Sequence, residues 1–390
     1  MAQTVSLLGD FLALFAVQVA IVFRMHGSVA EMAGVFIASL APSVVLGPLA
    51  GAFADRWSDP KRTMIASDLA RGVLILLLAR ATTVPQIYTI SFAMSCFSSF
   101  FAPAQTITIP LLVPRAGLVA ANARMQQSAQ VVRTVGPAVA CALVAAFGER
   151  FCYGADSASF FLSAALLATL RYPPAVKTPS PEAGFSELGS GIRFLFADAR
   201  FSFVVFSLTA GTFAAGCFGA LASLYVRDIL HRGPSVLGMI GSLIAAGTVV
   251  GSAGLSRCAR GCDPRRLIRG GMGGVGASIL LIAAVPGTTT ALMGSATMGL
   301  GVAVVMIAAS VMLQGEAPPA LRGRMSGAMT SLTSLAQLGA LLLSGWWAAR
   351  LGIRGVFLVS AALLLGIAIN GLAWGRKRDG PWIEASSEFS

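Results

Sequence analysis

Three carboxylates, Asp10, Asp68 and Asp156, lie inside long apolar stretches of this chain, and a fourth, Asp55, stands at the edge of one. An ionised carboxylate in hydrocarbon is costly, so an acid kept there is a functional candidate, above all for taking up and releasing a proton. Asp10 is the first choice. It precedes Phe23 by 13 residues, which at about 1.5 Å per residue sets it roughly 20 Å from the far end of its helix. The competing reading makes it a polar residue in a glycine-lined bend, hydrogen-bonded to neighbouring helices. Asp68 and Arg71 are three residues apart, so they share one helix face and can pair. They read as a structural or gating pair near a helix end. Arg133 also lies within an apolar stretch and needs a counter-charge, for which both Asp68 and Asp10 are open. Asp156 reads as a cap or interhelical hydrogen bond, a turn into its helix.

Nothing around these acids resembles an enzyme's machinery. The two histidines, His26 and His231, do not form a pair, and no Ser-His-Asp set or metal-ligating cluster is present. The six cysteines fall mostly in apolar runs and read as small packing residues. Cys258 and Cys262 share a basic loop but have no histidine near them, which makes a zinc site a poor expectation. The phosphate-cradling pattern Gly-x4-Gly-Lys-Ser/Thr is absent, so ATP hydrolysis is not expected. No catalytic residue, metal or cofactor is expected.

The elements that position the acids follow from composition. The 390 residues are 56% hydrophobic and 11% charged, with mean hydropathy +0.79. A soluble domain carries about 25% charged residues, so this chain has too few to coat a water-facing surface. Apolar runs long enough to cross a hydrocarbon core of about 30 Å recur throughout. Backbone in lipid must pair internally, as helices or as a closed barrel. Barrel strands alternate apolar and polar residues, whereas these runs are continuous, so an all-α membrane protein is expected. Spans are predicted at 3–23, 33–54, 63–81, 86–112, 118–147, 152–170, 201–225, 235–256, 266–285, 288–313, 325–349 and 353–375. The longest polar interruption, 171–200, contains Pro173, Pro174, Pro179 and Pro181 and divides the spans into six and six. Its segment Phe185–Phe196 has helix-like apolar spacing and is expected to lie on the membrane surface. The organisation is therefore an N-terminal bundle at 1–170, a cytoplasmic linker at 171–200, a C-terminal bundle at 201–375 and a tail at 376–390.

Most of the 28 Lys and Arg residues fall in the even-numbered loops and the tail, as in Arg56-Lys61-Arg62, Arg257-Arg260-Arg265-Arg266-Arg269 and Arg376-Lys377-Arg378. That bias puts both termini in the cytoplasm. It also accounts for the net charge of +12 without a nucleic-acid partner. The halves look duplicated. Gly47-x3-Gly51 followed by Asp59-Pro60-Lys61-Arg62 recurs as Gly247-x3-Gly251 followed by Asp263-Pro264-Arg265-Arg266, and Arg124-Met125 recurs as Arg324-Met325.

Several of these segments resemble the major facilitator superfamily. Gly51-Ala-Phe-Ala-Asp55-Arg56, ending in Lys61-Arg62, is similar to its signature loop between helices 2 and 3, with Ser58-Asp59-Pro60 in place of the usual glycine. Ser6-Leu-Leu-Gly-Asp10, Pro42-Ser43, Gly47-Pro48-Leu49-Ala50-Gly51, Ala121-Asn122-Ala123, Gly136-Pro137 and Asp156-Ser-Ala-Ser-Phe160 resemble the bacterial branch of enterobactin exporters, macrolide efflux proteins and transmembrane secretion effectors. So do Leu313-Gln314, Glu316-Ala317-Pro318 and Arg322-Gly323-Arg324. Phe101-Ala102-Pro103-Ala104 lacks the arginine that relatives often place before the Pro-Ala pair, and Ala140-Cys141 replaces a glycine pair of the helix-5 antiporter motif. The basic leader common in relatives is not seen ahead of the first helix, which suggests a late start or a trimmed N-terminus.

The resemblance implies twelve helices in two pseudo-symmetric six-helix bundles. It gives Gly51, Asp55, Arg56, Lys61 and Arg62 the role of a conformational latch between the halves, to which Arg71 and Arg133 are added as buried cations. It places a central cavity between helices 1, 4, 7 and 10, which offer Gln18, Phe97, Phe101, Gln105, Thr209, Thr212, Met298 and Met306. Aromatic and methionine side chains with few charges suit a bulky amphiphile. The expected activity is export of amphipathic small molecules across the inner membrane by a monomer, with protons as the coupling partner. A lipid or lysophospholipid flippase and a non-transporting receptor or scaffold are the competing readings.

Overall fold

The computed structural model describes residues 2–54, 59–114, 117–170, 193–258, 263–316 and 322–374. Its elements are helical: α1 Ala2–Val19, which runs into a π-helical turn at Ala20–Arg24, then α2 Val29–Ala54, α3 Pro60–Leu78, α4 Val84–Leu112, α5 Leu118–Phe147 and α6 Glu149–Thr169. There follow α7 Ala199–Leu224, with a π-helical turn at Tyr225–Ile229, α8 Pro234–Cys258, α9 Pro264–Ala284, α10 Thr288–Glu316 and α11 Arg322–Trp374. Eight helical segments among the described residues are long and apolar enough to cross a membrane. The last of these, Ser331–Gly371, has 41 residues, about 60 Å of helix and twice the hydrocarbon thickness. Gly352 breaks it with φ 71° and ψ 168°, where the sequence places a boundary between two spans.

α3 shows why this fold needs lipid around it. Its charged side chains point inward, with Asp68 0% and Arg71 5% exposed, while Leu69 is 43% and Val73 53% exposed. Water would favour the opposite arrangement. Leu76 and Leu77 continue this outward apolar surface on α3, and Phe92, Val250 and Ile369 on other helices.

α1–α6 pack chiefly among themselves: α1 against α5 and α6, α3 against α4 and α6, and α2 against α4. In the second group α7 packs on α11, α8 on α10, and α9 on α10 and α11. The groups meet along α5–α8 and α2–α11. The duplication read from the sequence has structural counterparts. Asp59 and Asp263 each accept a backbone N–H at the start of a helix whose first residue is proline. Gly148, with φ 79° and ψ 170°, has the conformation of Gly352. Each π-helical turn ends at a histidine with positive φ, 52° at His26 and 50° at His231. Lys61 Nζ donates to the Ala168 and Leu170 carbonyls at the end of α6, and Arg269 Nη1 to the Gly371 carbonyl near the end of α11. The Gly247 and Gly251 repeat lets α8 approach the α10 backbone at Ala296 and Leu300, as small residues do between membrane helices. The amphipathic segment Phe185–Phe196 falls mostly outside the described residues. Its end is helical, with Leu195 buried and Phe196 against Phe206.

Candidate functional site

The three intramembrane acids converge on Arg71. Arg71 Nη2 donates to Asp68 Oδ1 at 3.3 Å and to Ser6 Oγ at 3.2 Å, and Nη1 donates to Ser98 Oγ at 3.2 Å. The guanidinium also lies 4.0 Å from the ring centroid of Phe160 and 5.4 Å from that of Phe101. Its charge acts on Asp10 and Asp156 as well as on Asp68. Asp68 is the carboxylate that bonds the guanidinium among the described contacts, while Asp10 lines the same cavity as Arg71 and Asp156 sits against Gly9 on the helix that carries Asp10. The geometry is not a closed fork: Asp68 Oδ2 and Arg71 Nε make no hydrogen bond among the described groups. A pair held by one bond of 3.3 Å leaves the guanidinium able to change partners, which a bidentate pair would resist.

Close helix contact positions Asp156. Its Oδ1 accepts from Ser159 Oγ at 3.3 Å and lies directly against the backbone of Gly9, where a Cβ would overlap it. Ser157 Oγ donates to the Gly72 carbonyl at 2.8 Å, which ties α6 to α3 beside the cluster. Asp156 is fully buried in this contact, deeper than its sequence position suggests. Gly9→Ala is expected to push α1 away from α6 and lower stability by about 1–3 kcal/mol, the usual cost of overpacking. A drop in the thermal unfolding midpoint of the purified protein checks this, and an unchanged midpoint would show that the helices yield.

The cluster opens into a cavity of about 600 Å³ within the first group of helices. Asp10, Leu14 and Val17 line it from α1, Val35 and Ser39 from α2, Arg71, Ile75 and Leu78 from α3, and Ser91, Met94, Ser95, Ser98 and Ser99 from α4. The cavity therefore has a charged end, a serine-rich wall and apolar remaining walls. That combination suits an amphiphile, with volume in the range of small-molecule sites.

The eight residues picked from sequence for a central cavity between helices 1, 4, 7 and 10 do not line this one. Gln18 is half-buried on α1, Phe97 exposed on α4, and Gln105 half-buried on α4. Phe101 packs with Met64, Ala104 and Leu167 beneath Arg71. Thr209 and Thr212 are half-buried on α7, where Thr209 Oγ1 has no hydrogen-bond partner among the described residues. Met298 belongs to the core and Met306 is exposed, both on α10. None of the eight is among the lining residues of the described cavity. Of the latch set, Lys61 reaches the end of α6 and Arg62 pairs with Asp59 at 3.0 Å on an exposed surface. Asp55 and Arg56 lie outside the described residues, as do the surroundings of Gly51 and the side chain of Arg133.

Ser6, Gly9, Ser98, Ser159 and Phe160 complete the site and were not singled out individually. A signal did exist. Ser6–Asp10 and Asp156–Phe160 were both among the family-like segments, and here one packs on the other. Gly136, from a third such segment, packs on the ring of Phe11 next to Asp10.

Residues 1–378 match the family described as transmembrane secretion effector, a group of major-facilitator type. The chain belongs to this family. Among its relatives, the MFS-type transporter YfiS of Bacillus subtilis is 27% identical over 386 residues, covering 94% of this chain and 90% of that protein. Macrolide efflux protein A of Streptococcus pyogenes is 26% identical over 364 residues, 90% of each chain. The multidrug efflux pump Tap of Mycobacterium tuberculosis is 24% identical, covering 90% of this chain and 86% of Tap. Among solved structures, a bacterial homologue of the iron transporter ferroportin in an inward-facing state has TM-score 0.72 at 14% identity, covering 96% of this chain and 97% of that one. The nucleoside transporter NupG has TM-score 0.70 at 16% identity, covering 97% and 98%. This chain is thus a multi-pass membrane transporter of major-facilitator type and not an enzyme.

Proposed function

We propose that the chain is a secondary active exporter of amphipathic small molecules, driven by proton exchange at the Asp10 cluster and working by alternating access in the cytoplasmic membrane. The observation that carries this reading is the shared position of Asp10 and Arg71. Arg71 is buried and Asp10 half-buried, and both line the apolar, serine-walled cavity. A proton on the cluster changes its charge balance. That change alters which carboxylate Arg71 holds, and therefore the wall that cargo meets. Two six-helix bundles, 1–170 and 201–375, fit the duplicated caps and the matching glycines Gly148 and Gly352, with α11 counting as two spans. The segment 171–200 is then a cytoplasmic linker and 376–390 a tail, on the inner side with the arginine-rich loops.

Efflux relatives make a macrolide the first cargo to test. Purified protein in vesicles should accumulate it in exchange for protons running down an imposed pH gradient, and collapse of the gradient should stop the movement. Lysophospholipid movement with no drug flux would favour the flippase reading. No flux of drugs, siderophores or lysolipids in folded protein would overturn transport by this chain.

A further inference from the structure

The two π-helical turns are repeats of each other, and one side chain joins them. In the first, Met25 N donates to the Ala20 carbonyl at 2.9 Å and Gly27 N to that of Ile21 at 2.8 Å. In the second, Leu230 N donates to Tyr225 at 3.0 Å and Arg232 N to Val226 at 2.9 Å. His26 and His231 have the same left-handed backbone after each turn. In this alignment Arg227 occupies the position of Val22. Arg227 Nη1 donates to the Val22 carbonyl at 2.9 Å and to the Gly27 carbonyl at 2.7 Å. A residue that bonds its own repeat mate sits close to the pseudo-twofold axis. Arg227 therefore bridges the two groups of helices near their common centre, at the end of α1 and α7 remote from the N-terminus and the linker.

The chemistry at this point is specific. Carbonyls at a helix C-terminus lack intrahelical donors and carry partial negative charge, so a cation there is favoured. The left-handed turn at His26 takes the chain out of the helix and leaves the Val22 carbonyl facing the other half. Asp228 aims the guanidinium by pairing with Nε and with Nη2, the latter at 2.9 Å. Other arginines at this end act within their own half: Arg24 bonds the Ala81 carbonyl and pairs with Glu149, and Arg354 bonds the Ala283 and Ala284 carbonyls. Close approach of Gly345 on α11 to Ala33 on α2 accompanies the Arg227 bridge between the halves.

We propose that Arg227 is the latch that holds this end of the transporter closed, acting as a C-terminal cap for the first helix of the opposite half. Val22 cannot return the bond, so the bridge depends on one side of the repeat. The Arg227 side chain is 22% exposed, and that of Asp228 41%. Water can therefore take over both partners when the halves part, so the latch is releasable rather than permanent.

The inference rests on the two-state transport reading, but its test needs neither cargo nor gradient, so failed flux and a failed latch are distinguishable. Hydrogen–deuterium exchange of the full chain in lipid nanodiscs is compared between wild type, Arg227→Gln, Arg227→Lys and Asp228→Asn. In Arg227→Gln, residues 20–33 and 225–236 should exchange roughly tenfold faster, as expected for loss of hydrogen bonds to a charged donor. Exchange at the opposite end, around 59–64 and 263–268, should slow at the same time, because opening one end closes the other. Asp228→Asn and Arg227→Lys should shift both ends in the same directions by less. Faster exchange confined to residues near 227, or no change, would overturn the latch. Should Arg227→Gln not fold, an Asp228→Asn protein with wild-type exchange at both ends would overturn it equally.

Discussion

Asp10→Asn is expected to reduce gradient-driven uptake by everted membrane vesicles to the level of vesicles without the transporter, while the folded protein persists in the membrane. Asparagine keeps the shape and most of the hydrogen-bonding capacity of the side chain but cannot exchange a proton near neutral pH. Asp10 lines the cavity and lies within the field of Arg71. The groups facing it are Asp68 and Arg71 from α3 and Asp156 from α6, and α5 also packs against α1. Asp156→Asn separates the two ways the cluster can work. Asp156 is packed against Gly9 and is not among the cavity-lining residues, so its loss should weaken coupling less than loss of Asp10. Unchanged proton-driven uptake in Asp10→Asn removes Asp10 from the coupling step. Loss in Asp156→Asn alone moves the proton site to α6.

The second large effect is on stability. Arg71→Ala removes the bonds to Ser6, Ser98 and Asp68 and uncovers the face of Phe160, leaving a fully buried carboxylate at Asp68 without its partner. Breaking a buried pair from one side costs about 3–5 kcal/mol, because the remaining charge is stranded. Against a typical total of about 5–15 kcal/mol, that is enough to deplete folded protein. A lowered thermal midpoint and a reduced monodisperse peak in detergent should report it. The double variant Asp68→Asn/Arg71→Ala should recover part of the loss, since no unpaired charge then remains at Asp68. Strictly additive losses in the double variant would mean that Asp68 and Arg71 do not stabilise each other.

Much of the architecture was legible in the chain. Continuous apolar runs require helices in lipid, and the helix ends follow from local chemistry such as Asp59-Pro60 and Asp263-Pro264. The Asp68–Arg71 pair was readable because a spacing of three is a property of one helix. Asp10 was singled out because a charge in an apolar run stands out wherever the helix packs.

What the linear pattern could not decide was which helices face one another. Asp156 read as a cap or an interhelical hydrogen bond, and the linear pattern could not name the Gly9 backbone it meets, because that belongs to a distant segment. The eight cavity residues were assigned from the family's central cavity, and the cavity lined by α1, α2, α3 and α4 is a separate space that no linear pattern marks. Arg227 does not stand out in the linear pattern, since its acceptors are backbone carbonyls, which every residue has and no sequence marks. Hydropathy and spacing determine that helices form and cross the bilayer. Lipid solvates all their outward faces alike, so only the fitting of glycines, serines and single charges between helices settles which faces turn inward and what they meet there.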